Sequence, residues 1–262
     1  MTLTDTFPVT STARETGLIF WSHLRASLRN PLWVLIGLSQ PILYLVLFGP
    51  LLEGVGGSVG AGTDPWLVFT PGLIIQIGLF GSMFAGFSMV YELRAGIIER
   101  QRVTPASRSA LLLGRVLKDM VVLMVQATIL VLVAVLLFDL RPNVLGFVLT
   151  LVLVAIIAAG MSSASYALAL ATRSEDSLAS VLNMVSVPLL LLSGILLPMT
   201  LGPGWLQTLA RLNPLSHTVD AARALFRGDF GSSDVYIGTA VTVVLAVVLA
   251  AIGARTFAKE NA

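Results

Sequence analysis

Residues 91–119 read YELRAGIIERQRVTPASRSALLLGRVLKD, and long apolar segments lie on both sides of this stretch. It holds six of the sixteen lysines and arginines in a chain of which only 11% is charged. The six are Arg94, Arg100, Arg102, Arg108, Arg115 and Lys118, interspersed with the acids Glu92, Glu99 and Asp119. Loops rich in Lys and Arg remain in the cytoplasm. The stretch is therefore predicted to be a cytoplasmic loop between two membrane spans.

The composition predicts one all-α integral membrane domain over residues 1–262. Apolar residues make up 56% of the chain and charged residues only 11%, whereas about a quarter of the residues in a soluble domain are charged. A bilayer core needs about 20 apolar residues per helix, and runs of that length recur along nearly the whole chain. Six spans are predicted, at residues 31–52, 66–91, 120–138 (with a helix start near Ser107), 144–172, 177–198 and 236–257.

The distribution of basic residues predicts the orientation. With the central loop inside, twelve of the sixteen basic residues fall on the cytoplasmic side and four fall outside. This asymmetry follows the positive-inside rule. Both termini are then predicted to be cytoplasmic, and the first thirty residues show no removable signal peptide.

Residues 13–30 are predicted to form an amphipathic helix in the membrane surface. Leu18, Trp21, Leu24 and Leu28 recur at spacings of three and four, which places them on one helix face. The alternative is an extension of the first span, although Asn30 and the proline after it favour a boundary.

Residues 199–234 are predicted to form a helical hairpin that re-enters the outer leaflet. Its pieces, at 205–212 and 216–226, are each too short to cross a bilayer, and Asn213-Pro214 separates them. Exposed backbone at that depth has to be shielded by protein. Two helices lying flat on the outer surface remain an equal alternative.

The polar residues within the spans argue against ion-gradient coupling. They are amides, Ser and Thr, which do not titrate near neutral pH, whereas pumps need ionisable groups along the path. The amides are Gln40, Gln76, Gln126 and Asn183.

ATP hydrolysis and metal chemistry within the chain are also disfavoured. A P-loop needs Gly-Lys-Ser/Thr, but Leu117 precedes Lys118 and Ala258 precedes Lys259. The chain has no cysteine and two distant histidines. No metal site or catalytic triad is expected.

The central loop is suited to bind a soluble partner that supplies the energy. It combines an apolar side with charges one turn apart, and a Thr-Pro pair ends the helix. These features are Leu93, Ile97 and Ile98, then Glu99 and Arg102, then Thr104 and Pro105. Such a helix fits a partner's groove. The alternative is a solvated basic loop that only sets topology.

The second span, the central loop and the later NPLSHTVDAARALFRG at residues 213–228 together resemble the membrane permease of type-2 ABC exporters. That family includes daunorubicin-resistance permeases and polysaccharide and lipid exporters. The resemblance runs essentially end to end. Its most specific parts are the acid, basic and Thr-Pro pattern of the loop and the Asn-Pro before the helix that carries Asp220 and Arg223.

The resemblance implies roles for three segments. Residues 13–30 would be a connecting helix, 92–104 a coupling helix in a cleft of the ATPase, and 199–234 a cap on the pathway. The implied coupling residues are Glu92, Arg94, Ile97, Ile98, Glu99, Arg102, Thr104 and Pro105. The implied hairpin residues are Asn213, Pro214, His217, Asp220 and Arg223, with His217 standing where an aromatic residue is common.

The resemblance also implies two permease halves, identical or related, and two ATPase subunits that bind the ATP and Mg²⁺, with no cofactor in this chain. The halves would meet through the first and fifth spans. Gln40, Tyr44, Asn183 and Ser186 would lie near the central cavity, and Pro188 would form a bend or gate. A static kink at Pro188 is an equal alternative.

The expected function is the permease subunit of an ATP-driven exporter in a bacterial inner membrane. It would be a transport subunit and not an enzyme, it would contact lipid, and it would not bind nucleic acid. The mostly apolar spans suit an amphipathic, drug-like or lipid-like cargo. The alternative is a structural or regulatory membrane anchor whose loop recruits a partner without transport.

Overall fold

The computed structural model describes residues 12–30, 32–54, 64–97, 107–196, 199 and 202–260, and these residues are organised as helices. The helices are α1 (Thr12–Arg29), α2 (Leu32–Gly54), α3 (Pro65–Met83), α4 (Gly86–Arg94), α5 (Arg108–Phe138), α6 (Val144–Thr172), α7 (Glu175–Leu192), α8 (Gly204–Leu212), α9 (Pro214–Arg227) and α10 (Ser233–Glu260).

The residues that the structure describes include six candidate spans that are long and apolar enough to cross a membrane, which confirms the predicted all-α membrane fold. They are α2, the pair α3 and α4, α5, α6, α7 and α10. The limits of α6 are those predicted. Helix α5 begins at Arg108, in agreement with the helix start predicted near Ser107, so the basic end of the predicted loop is helical.

Helix α6 lies at the centre of the bundle and packs on α3, α5, α9 and α10. Small residues allow two of these close approaches. A Cβ atom on Gly160 would lie 2.5 Å from the Ala246 Cα of α10. Gly78 of α3 faces Val154 of α6. Two glycines of the second span, Gly78 and Gly86, therefore lie against α6.

The bundle has two distinct ends. We call the end with Arg94, Arg108 and Thr172 the loop end, and the opposite end, with α8 and α9, the hairpin end. At the hairpin end the rings of Trp66 and Phe138 stack with centroids 3.9 Å apart. Because the chain crosses six times, α1 and the end of α10 both lie at the loop end.

Helix α1 follows the first turns of α5 at the loop end. The Glu15 carboxylate accepts a hydrogen bond of 2.9 Å from the Ser107 N–H, and a Cβ atom on Gly114 would lie 2.6 Å from the Ile19 side chain. The first turn of α2 also contacts α5, since the Val34 carbonyl accepts a hydrogen bond of 3.0 Å from the Gln126 side chain of α5. The position of α1 relative to the membrane surface stays a prediction.

Helices α8 and α9 are too short to cross the membrane. Their nine and fourteen residues span about 14 and 21 Å, against about 30 Å of hydrocarbon. Helix α9 is buried among α3, α6 and α10, and a Cβ atom on Gly146 would lie 1.8 Å from the Leu225 carbonyl oxygen. Helix α9 is thus shielded by protein, whereas α8 is largely exposed, and the depth of the hairpin in the bilayer stays a prediction.

Candidate functional site

A group of five polar residues at the loop end joins α4, α5 and α6. We call Glu92, Arg115, Lys118, Asp119 and Tyr166 the loop-end cluster. Arg115 Nη1 lies 2.6 Å from Glu92 Oε2, and their side chains are 3% and 15% exposed. Lys118 pairs with Asp119, whose other oxygen accepts the Tyr166 hydroxyl at 2.5 Å.

The loop-end cluster is electrically balanced. Two cations face two carboxylates, and the Tyr166 hydroxyl donates to one of them. A buried ion needs such partners because removal from water costs several kcal/mol per charge. The pairings link helices that are far apart in sequence, so the cluster fixes α4 against α5 and α5 against α6.

Sequence reasoning assigned these charges to a cytoplasmic loop that docks a soluble partner and did not predict their burial inside the bundle. A signal was present in their spacing. Leu112, Arg115, Val116 and Asp119 follow one another by three, one and three residues, which places them on one helix face, and all four are buried. Charged residues in phase with an apolar stripe indicate pairing inside the fold.

The Ser165 side chain occupies the break between α3 and α4. Its hydroxyl donates to the Met83 carbonyl and accepts the Gly86 N–H at 2.9 Å. A side chain that inserts into the helical hydrogen-bond ladder is a recognised cause of a sharp bend. Helix α4 is therefore offset from α3 and held to α6 at its first residue.

Beyond the break, α4 presents an exposed face at the loop end. Tyr91 is 67% exposed, and Ile97, three residues past the end of α4, is 37% exposed. Arg94 lies 3.2 Å from Glu175, with both side chains largely exposed. Glu92 faces the opposite way, toward Arg115. The remaining predicted coupling residues, Ile98, Glu99, Arg102, Thr104 and Pro105, lie outside the described residues.

His23 of α1 lies beside the loop-end cluster. Burial, and then the positive charges of Arg115 and Lys118, lower the pKa of His23 to about 4. Its imidazole is therefore neutral at physiological pH. His217 lies at the other end of the bundle, and the part of the chain that the structure describes contains no group of three potential metal ligands.

Arg223 holds the hairpin to two other elements. It is 5% exposed, and its Nε donates to the Val68 carbonyl of α3 at 3.0 Å. Its Nη2 donates to the Gly194 carbonyl, just after α7, at 2.6 Å. Asp220 accepts a third bond of 3.4 Å and is partly exposed. One guanidinium thus joins α9, α3 and the end of α7.

Asn213 and Pro214 form the start of α9. The Asn213 Oδ1 accepts the Leu215 N–H at 3.0 Å as an N-cap, and its Nδ2 donates to the Leu189 carbonyl of α7 at 3.0 Å. His217 is partly exposed and bonds to the Arg211 carbonyl at 3.0 Å. The Asn-Pro motif therefore connects the hairpin to α7 as well as starting a helix.

The predicted pathway residues lie on two helices that face outward. Gln40 is exposed on α2 and donates to the Tyr44 hydroxyl at 3.1 Å. Asn183 is exposed on α7, where the buried Ser186 hydroxyl bonds to its carbonyl at 3.4 Å. Helix α7 continues through Pro188 to Leu192. The structure brings Gln40 and Tyr44 together, and α2 packs mainly on α3 and α5 rather than on α7.

The described residues, with six candidate spans packed around α6, have the architecture of a multi-pass membrane protein. The family model described as ABC-2 type transporter matches residues 14–226 of the chain. This protein therefore belongs to the ABC-2 type transporter family. Membership implies an ABC ATPase partner and a dimeric arrangement in general.

Two relatives illustrate the similarity. The daunorubicin resistance ABC transporter permease protein DrrB1 of Streptomyces coeruleorubidus is 27% identical over 244 residues, which cover 92% of this chain and 85% of that protein. The protein named "Putative transport permease ycf38" of Cyanophora paradoxa is 27% identical over 200 residues, covering 76% and 69%. The family identified from the loop and Asn-Pro motifs is confirmed.

Proposed function

We propose that this permease subunit exports amphipathic, drug-like or lipid-like compounds from the cytoplasm or inner leaflet, using ATP hydrolysed by a separate subunit. Family membership supports the transport role, and the name of the daunorubicin relative supports an amphipathic cargo. ATP and Mg²⁺ bind to the partner. The loop end faces the cytoplasm together with both termini, as the twelve-to-four distribution of basic residues favours.

The observation that carries this proposal is the connection of α4 to the bundle through the loop-end cluster. The proposed coupling segment, residues 92–104, begins in the last turn of α4 and continues beyond the end of that helix. A partner that displaces this segment also displaces Glu92. The 2.6 Å pair with Arg115 passes the displacement to α5, and the bond from Tyr166 to Asp119 passes it to α6.

The export path is proposed to run between two copies of the permease. Gln40 and Asn183 are exposed on α2 and α7, and an amide in hydrocarbon lacks hydrogen-bond partners. A second copy would enclose these residues in a cavity. The hairpin caps that cavity, and Arg223 and Asn213 connect the cap to the end of α7.

The experiment is a charge reversal in the coupling segment. In Glu99→Arg, an acid expected in a partly buried groove becomes basic, and loss of one side of such a pair typically costs about 2–5 kcal/mol. Binding of the ATPase subunit and coupled transport should fall, while membrane insertion stays normal. Asp229→Arg, an equal reversal at an exposed site of the hairpin end, should leave assembly unchanged.

Two results would contradict the proposal. Reconstituted Glu99→Arg complexes that assemble and transport like the wild type would exclude docking at this segment. A stable wild-type complex in which no amphipathic compound stimulates ATP hydrolysis or crosses the membrane would favour the anchor function.

A further inference from the structure

Helix α1 carries an exposed stripe of alternating apolar and basic residues. Trp21, Arg25, Leu28 and Arg29 follow one another by four, three and one residues, so they share one helix face. Trp21 is 49% and Leu28 68% exposed, and both arginines are exposed. We call these four residues the α1 stripe.

The α1 stripe points away from the bundle. The helix packs on α5 through a different face, where a Cβ atom on Gly114 would lie 2.6 Å from Ile19 and 3.1 Å from the Phe20 nitrogen. The four residues of the α1 stripe take no part in this packing, because they lie on another side of the helix than the one that faces α5. The stripe is therefore free to contact something outside the described chain.

The charge of the α1 stripe is uniformly positive. The acid of α1 is Glu15, and its carboxylate accepts the Ser107 N–H at 2.9 Å. The Arg25 guanidinium carbon lies 5.2 Å from the centre of the Trp21 ring, a cation–π contact that positions the charge beside an apolar surface. The stripe is thus suited to a ligand with an anionic and an apolar part.

The α1 stripe also lies close to the bilayer. The first span begins at Val34, and Arg29 and Arg25 precede it by five and nine residues, with α1 ending at Arg29, before the span. With α1 along the membrane surface, as its sequence predicts, both arginine side chains reach the headgroup layer. Leu32, between the stripe and the span, is itself 59% exposed.

We propose that the α1 stripe binds the phosphate of an anionic phospholipid in the leaflet at the loop end. Arg25 and Arg29 bind the phosphate, since guanidinium matches phosphate geometry. Trp21 and Leu28 contact the glycerol and upper acyl region, where amphipathic rings are favoured. Each basic residue near an anionic surface contributes about fivefold in binding.

The test measures contact between Trp21 and lipid in the full-length chain, without ATPase. The protein is placed in nanodiscs of phosphatidylcholine that contain an equal mole fraction of either brominated phosphatidylglycerol or brominated phosphatidylcholine. Bromine quenches nearby indole fluorescence. The part of the quenching that disappears in Trp21→Phe belongs to Trp21.

The proposal expects the brominated phosphatidylglycerol to quench Trp21 more strongly than the brominated phosphatidylcholine. Arg25→Gln should raise the phosphatidylglycerol fraction needed for half-quenching about fivefold, and Arg25→Lys should retain most of the preference. Arg255→Gln removes an exposed arginine at the same end of the bundle but outside the stripe, and it should have no effect.

Equal quenching by the two lipids, or an equal response of Arg25→Gln and Arg255→Gln, would overturn the proposal. So would loss of the quenching when the ATPase subunit is added, because the stripe would then belong to a soluble partner. The measurement needs neither hydrolysis nor transport, so its outcome is separate from that of the proposed function.

Discussion

At the scale of single residues, two arginine–glutamate pairs at the loop end differ in their surroundings. Arg115 is buried against Glu92, and its Nη1 also lies 3.8 Å from the Met89 sulfur. The Arg94–Glu175 pair is exposed, with side chains 58% and 45% accessible. The same arginine–glutamate pair therefore occurs once buried and once exposed to solvent within one protein.

Arg115→Met should destabilise the protein far more than Arg94→Met. The first change leaves Glu92 without its cation inside the fold, which costs about 3–5 kcal/mol, whereas an exposed pair contributes about 0–1 kcal/mol. The free energy of unfolding, measured by titrating mixed micelles with dodecyl sulfate, gives both values. Adding Glu92→Gln to Arg115→Met should recover part of the loss, because a neutral amide needs no cation.

Equal losses in the two methionine variants would show that the Glu92–Arg115 pair does not stabilise the fold.

The sequence was informative about residues whose role is local and uninformative about residues whose partners are distant. Asn213 was singled out by its Asn-Pro motif, and an N-cap depends only on its own helix. The burial of Arg115 depends on Glu92, and that of Asp119 on Tyr166, 47 residues away. A single sequence does not reveal which distant acid faces a given base.

At the scale of elements, the end of α7 is hydrogen-bonded to the hairpin. Asn213 donates to the Leu189 carbonyl in the last turn of α7, and Arg223 donates to the Gly194 carbonyl two residues past it. These carbonyls lie where a helix ends and lacks its own donors. Side chains of α9 and of the residue before it thus serve as the C-terminal cap of another helix.

Arg223→Gln should loosen the hairpin. A hydrogen bond from a charged group contributes about 1.5–3 kcal/mol, so the open population should increase at least tenfold. Opening is measured as the maleimide labelling rate of Ala222→Cys, whose parent residue is fully buried in a chain without natural cysteines. Arg227→Gln, at an exposed site one turn later, is the matched control and should leave the rate unchanged.

If the cysteine of Ala222→Cys is labelled at the same rate in the Arg223→Gln and Arg227→Gln variants, the contacts of Arg223 do not hold the hairpin closed.

Element limits were predictable where a local signal marks them. Asn143 caps α6 by accepting the Gly146 N–H at 3.0 Å, and the predicted start at Val144 is confirmed. The apolar span was placed at residues 120–138, and its helix was expected to begin near Ser107; it begins at Arg108 with Ser107 as its N-cap. Paired charges remain compatible with a buried helix, so the helix extends back to Arg108.

At the scale of the whole molecule, the exposed faces of the spans are of two kinds. Helix α10 exposes an apolar row that includes Val244 and Val247, 63% and 61% exposed. Helices α2 and α7 instead expose the amides Gln40 and Asn183. Lipid suits the first kind of face, whereas the second calls for polar partners. We infer that α10 faces lipid and that a second copy of the chain covers α2 and α7.

Oxidative cross-linking should distinguish the two kinds of face. A single cysteine in Asn183→Cys should form a disulfide-linked dimer in membranes, since the two copies bring equivalent residues close across a twofold axis. A single cysteine in Val244→Cys, on the lipid-facing row, should remain monomeric under the same oxidant. The readout is the mass of the chain on a non-reducing gel.

Dimers in the Val244→Cys sample, with monomers in the Asn183→Cys sample, would place the subunit contact on α10.

The hydroxyl of Ser165 has a consequence for how the second span behaves mechanically. At the break between α3 and α4, this one atom donates to the Met83 carbonyl and accepts from the Gly86 N–H. The second span therefore consists of two helices, α3 and α4, and the break between them is hydrogen-bonded to the neighbouring helix α6. We therefore expect a force on α4 to rotate this helix about its contact with α6, while α3, which is buried in the core, stays in place.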